Sequence, residues 1–97
     1  MLVWTKIDRK QYGGTVVSTS YEAQLPGWGR VTVHPYIHCP GEMFLTCDSL
    51  GIESHPLGQI APEDALKPAE AELERALKQY MAWCEEGLAA LRNGQGQ

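Results

Sequence analysis

All three histidines and two of the three cysteines fall within one stretch of the chain: His34, His38, Cys39, Cys47 and His55. Imidazole nitrogen and thiolate sulfur suit zinc, so a metal site, if the chain had one, would be assembled here. The spacing works against it. No Cys-x-x-Cys pair is present, and the ligands do not come in the ordered pairs of a knuckle or finger. A cysteine nucleophile is also poorly served: His38 and Cys39 are sequence neighbours, whose side chains point apart in extended chain. Residues 31–60 contain no Lys or Arg to lower a thiol pKa. The acids Glu63, Asp64, Glu70, Glu72 and Glu74 spread around a helix as a solvated face does, without a converging partner for acid–base work. Gly13-Gly14 belongs to no phosphate-binding motif. The expectation is a non-enzymatic chain with no catalytic residue, no metal and no cofactor.

The aromatics carry more promise. Trp28 sits at a turn beside Arg30, His34 and Tyr36 follow on the next strand, and Trp83 lies far along the C-terminal segment. Trp, Tyr and Arg dominate the energetics of protein interfaces. Trp28, Arg30, His34, Tyr36 and Trp83 are therefore the candidate partner-binding residues. The structural alternative for Trp28 is packing over the sheet edge or beneath a helix.

These residues need elements to hold them. From Val17 to Leu25, the set Val17, Thr19, Tyr21, Ala23, Leu25 alternates with Ser18, Ser20, Glu22, Gln24, the pattern of a half-buried antiparallel strand. Pro26-Gly27 supplies a tight turn, proline presetting φ and glycine accepting φ > 0. Arg30–Pro35 resumes the alternation with Val31 and Val33 inward, which predicts a hairpin. Glu42–Asp48 reads as a third strand with Met43, Leu45 and Cys47 on one face and Phe44 and Thr46 on the other; both faces carry a large apolar group, so either can face the core. Leu2–Ile7 is a candidate first strand, joined through a loop containing Gly13-Gly14. Residues 50–57 read as a strand extension or a connection, because Gly51, Pro56 and Gly58 argue against a long regular element.

The C-terminal third is helical. Pro62-Glu63-Asp64 suits a helix start, with proline losing no needed N–H and the acids facing the positive dipole end. Leu66, Ala69, Leu73, Ala76, Leu77, Tyr80, Cys84, Leu88 and Leu91 step by threes and fours along one stripe. Pro68 predicts a kink, or a first turn over 62–67 separate from a main helix starting at 68. Asn93-Gly94 predicts the stop, with residues 95–97 fraying. A helix over 68–92 runs about 38 Å, against about 17–24 Å for strands of five to seven residues. Part of it must overhang the sheet, and Met81, Trp83, Leu88 and Leu91 lie in that part. They either pack on the N-terminal strand or form a surface for another chain. The expected architecture is α+β: a three- to four-stranded antiparallel sheet, residues 2–57, covered by a helix over about 62–93, in one domain of 97 residues.

A net charge of −4 is unevenly distributed. Lys6, Arg9, Lys10 and Arg30 give the first thirty residues an excess of cations, and the rest is acidic. Without a wider cationic cluster, nucleic acid is disfavoured as a partner. An acidic body suits a protein partner with a basic surface, and a homodimer through the C-terminal helix is a further expectation. An odd cysteine count, no signal-like start and no apolar run of membrane-spanning length lead to the expectation of a cytoplasmic protein.

The order Tyr21-Glu22-Ala23, turn, Val31-Thr32-Val33, Phe44-Leu45, then Leu57-Gly58-Gln59-Ile60-Ala61-Pro62-Glu63-Asp64-Ala65 and Ala69-Glu70 resembles the small β-β-β-α proteins of phages and prophages. The resemblance covers residues 17–91 and is largely architectural. It implies an accessory protein of a bacterial host's mobile elements, binding and inhibiting a host protein or complex, with an anti-CRISPR inhibitor as its sharpest form. No catalytic residue is carried over. A weaker similarity is to HicB-like antitoxins, which run strands into an alanine- and glutamate-rich helix. Their proline- and glycine-containing segment ending in Gly-Cys is missing here. A nucleic-acid-binding regulator and a small zinc-binding domain stand as alternative readings.

Overall fold

A computed structural model describes residues 2–10, 14 and 16–95. Five strands, β1 (Thr5–Lys10), β2 (Val16–Leu25), β3 (Gly29–Tyr36), β4 (Cys39–Cys47) and β5 (Ile52–Gly58), form one antiparallel sheet in the order β1-β2-β3-β4-β5. A 3-10 turn over Asp48–Leu50 joins β4 to β5, and another over Pro62–Ala65 leads into the helix α1 (Leu66–Gln95). The arrangement is α+β, as the patterning predicts, with one strand more than expected. That strand is the segment 52–58. Pro56 is tolerated because β5 is an edge strand, where a missing N–H costs no ladder bond. Gly51 (φ 70°) closes the 3-10 turn, and Ser54 (φ 49°) takes up a bulge opposite the 45–47 segment of β4.

The alternation of side chains sorts the sheet into two faces. Tyr21, Val33, Leu45 and His55 stand in register across four strands on the face under α1, with Ala23 and Val31 forming the next row. Met43, Leu45 and Cys47 accordingly face the helix, and Val31, Val33, Leu45 and Cys47 are fully buried. The second 3-10 turn supplies Ala65, and the helix Ala69, Leu73 and Ala76, to the same core. Small side chains at three of these four positions let the helix axis approach the sheet closely. Leu2 and Trp4 pack at the margin, and the indole Nε1 of Trp4 donates to Glu70 Oε2 at 2.9 Å, tying the N-terminal segment to the helix.

Two helix expectations are corrected. The separate first turn is present as the 3-10 turn Pro62–Ala65, but the main helix starts at Leu66 and not at 68, so Pro68 falls in its first turn, where no intrahelical acceptor exists for its missing N–H. Nor does it stop at Asn93-Gly94, since α1 continues to Gln95. Gly13, the side chain of Val17 and the expected fraying at 96–97 lie outside the described residues. Among the described residues, no helix is long and apolar enough to cross a membrane.

The overhang is pronounced. Beyond Tyr80 the helix leaves the sheet, and every residue from Trp83 to Gly94 is exposed. The molecule measures 70 × 22 × 20 Å, the long axis reflecting this projecting arm.

Candidate functional site

Five residues were expected to meet a partner, and the structure distributes them over two surfaces. His34 and Tyr36 belong to the sheet face opposite the helix. Trp28 and Trp83 belong to the helix side. Arg30 shares the parity of His34 on the open face, exposed, with its guanidinium 4.0 Å from Glu22.

On the open sheet face, His34 and Phe44 are cross-strand partners. Their rings stack at 6.3 Å, and Tyr36 meets both edge-on with centroids 5.0 Å away. Phe44 is thereby buried with no helix above it. Around it, His34 Nε2 lies 2.8 Å from Thr46 Oγ1, which also accepts the Ser54 N–H at 3.2 Å, while the Tyr36 and Ser54 hydroxyls contact each other. Hydroxyls and imidazole are committed to one another, so the cluster acts as a second small core that stiffens the face. Its exposed rim is Tyr36 and the adjoining turn residue Ile37, the latter 88% exposed.

The second surface lies where α1 leaves the sheet. The β2–β3 turn lifts Trp28 against the helix, its ring 4.9 Å from Tyr80 in an edge-to-face contact, and Tyr80 in turn meets Trp83 at 5.4 Å. Trp28 is therefore half-buried beneath the helix and not an exposed tip residue. The cause is the length of α1, which carries Tyr80 out over the turn. Trp28, Leu77, Tyr80, Met81, Cys84 and Glu85 line a shallow, mostly apolar groove of about 440 Å³. From its mouth the arm continues with Met81, Trp83, Leu88 and Leu91, all about half or more exposed. Of the two fates open to these side chains, packing on the N-terminal strand is not the one seen among the described residues, since each of the four stays about half or more exposed. Tyr80 and Phe44 were missed as site residues. Cross-strand register would have placed Phe44 beside His34; nothing local in the sequence places Tyr80 over Trp28.

The histidines and cysteines do not gather. His34 is on the open face, His38 in an exposed turn, Cys47 in the core, and His55 on the helix side. All three cysteines are free thiols, and among the described residues no group of three His, Cys, Asp or Glu converges as a metal site would require. His55 instead faces Glu72 at 3.8 Å, and Glu72 takes two 3.0 Å contacts from Arg75 Nε. The Arg75 hydrogen bond, opposed by burial and aided by the charges of His55 and Arg75, holds the Glu72 carboxyl below its ordinary pKa.

Comparison with protein-family models, curated proteins and solved structures finds no match.

Proposed function

We propose that this chain is a non-catalytic protein-binding module whose docking element is the projecting half of α1 together with Trp28. The observation that carries the reading is the burial contrast along one helix. Leu73 is 2% exposed and Leu91 is 66% exposed, yet Leu91 follows Leu73 by eighteen residues, five whole turns at 3.6 residues per turn, and so shares its azimuth. A stripe that continues apolar after its sheet has ended is an interface pattern, since exposed large apolar groups in a row are otherwise a solubility liability. Trp and Tyr at the base of the arm are the residue types that concentrate interface energy. The resemblance to phage and prophage accessory proteins supports a sharper form, in which the module occludes a surface of a host protein or complex.

The experiment is capture from cell lysate by the immobilised chain beside a Leu88→Glu/Leu91→Glu variant. A specific protein retained by the first and lost by the second is expected. Identical retention by both, or no retained protein in any condition, overturns the reading.

A further inference from the structure

We infer that the free edge of β1 takes an extended acidic peptide as a sixth strand, independently of the arm. The sheet order leaves β1 and β5 at its two margins. The β5 edge is blunted by Pro56 and by the bulge at Ser54, whose φ is 49°. β1 has neither device: it contains no proline, keeps a regular register with β2 from Thr5 to Arg9, and is exposed along all six residues. Alternate residues of such a strand turn both N–H and C=O outward. Among the described residues no strand meets them.

Charge decides the class of occupant. Lys6, Arg9 and Lys10 against Asp8 give β1 three cations and one acid. Asp8 is already engaged: its Oδ1 accepts from Thr19 Oγ1 at 2.6 Å, and its Oδ2 lies 3.9 Å from Lys6 Nζ. Arg9 and Lys10 form no ion pair among the described residues. Edge lysines deter a like-charged neighbour and favour an acidic one. A second copy of β1 would add its own excess of cations to the same edge.

Register decides the pattern. Lys6 and Asp8 lie on the helix side of the sheet, opposite Tyr21 and Thr19; Thr5, Ile7 and Arg9 lie on the open face, opposite Glu22, Ser20 and Ser18. Val3, Thr5, Ile7, Glu22 and Gln24 line an open groove of about 570 Å³ beside the edge, with Val3 and Ile7 its exposed apolar side chains. In an antiparallel pairing, the form used throughout this sheet, added residues opposite Thr5 and Ile7 share the open face and can bury apolar side chains in that groove. Glu22 on the far wall disfavours an acid there. Residues opposite Lys6 and Arg9 carry the acids, and the one opposite Asp8 is uncharged. From its N-terminus the occupant therefore reads acid, neutral, apolar, acid, apolar. So short a strand falls well below the area of a standard interface, about 800 Å² per partner, and binds weakly.

The test is an NMR titration of the full chain with the capped peptide Thr-Glu-Thr-Val-Glu-Val-Thr up to millimolar concentration. Amide shifts should concentrate on residues 3–10. Lys6→Glu combined with Arg9→Glu should weaken binding about tenfold and should favour the peptide with Lys in place of both Glu; circular dichroism confirms that this exposed-site variant stays folded. N-methylation of one alternate set of peptide residues should abolish binding and of the other set leave it unchanged, because only one set points its N–H groups at β1. No shift at β1, indifference to the charge reversals, or equal effects of the two N-methylated sets overturns strand addition by an acidic peptide. Shifts of the β1 amides on dilution of the chain alone would assign the edge to a second copy and overturn it equally.

Discussion

Leu73→Ala and Leu88→Ala make the same chemical change on the same helix, and the structure assigns a large loss of stability to the first and almost none to the second. Leu73 is 2% exposed against the sheet; Leu88 is 49% exposed on the arm. The substitution removes three carbons, about 2.4 kcal/mol of transfer free energy at about 0.8 kcal/mol each, and a rigid core adds a cavity cost that brings Leu73→Ala to about 3 kcal/mol. For a chain of this size that is about 12–24 °C in Tm and a large part of a total stability of about 5–15 kcal/mol. Leu88→Ala leaves no cavity, and alanine is at least as good a helix former, so its effect stays within about 0.5 kcal/mol. Urea titration followed by circular dichroism, at concentrations low enough that association adds nothing, gives both values. A Leu88→Ala cost above about 2 kcal/mol, or a Leu73→Ala cost below about 1 kcal/mol, would refute the division of the helix into a structural half and a projecting half.

Trp4→Phe removes the indole donor to Glu70 and should cost about 1–2 kcal/mol in thermal unfolding, with the helical content unchanged. Gly58 has φ 105° with open space where a Cβ would go, so Gly58→Ala should destabilise by about 1 kcal/mol or more through backbone strain alone, read from the same urea midpoints. Glu72 binds its proton less readily folded than unfolded, so its contribution is present above the unfolded carboxylate pKa and is lost as pH falls through the folded value. Below about pH 4.5 the stability difference between the native chain and Glu72→Gln should shrink; a difference that grows through that acidic range would contradict the Glu72–Arg75 assignment. Amides of residues 84–94 should exchange with solvent far faster in dilute solution than those of residues 69–77, because an unsupported helix of this length is marginal and Gly87 weakens it further.

The sheet was legible wherever one face of a strand is buried and the other wet. The alternation at Tyr21–Leu25 and Arg30–Pro35, with Pro26-Gly27 between, gives the central hairpin directly. Strand β5 was obscured because Gly51, Pro56 and Gly58 are breakers in isolation and acquire their roles as turn closer, edge residue and strand end only from neighbouring strands. Phe44 was ambiguous for a related reason. It is buried by His34 and Tyr36 on a face that no helix covers, which periodicity cannot distinguish from burial beneath one. The stripe of α1 and its excess length were both readable, so the arm was foreseeable. Where the arm begins was not, because that depends on Trp28 rising to meet Tyr80, a contact between residues fifty-two positions apart.

The most direct measurement is the amide and indole NMR spectrum of the labelled chain before and after addition of the protein captured from lysate. The account predicts shifts at residues 77–91 and the Trp28 indole, with Thr32, His34 and Phe44 unmoved. Shifts centred on His34, Tyr36 and Phe44 while the arm stays silent would move the contact surface to the open face of the sheet and contradict it.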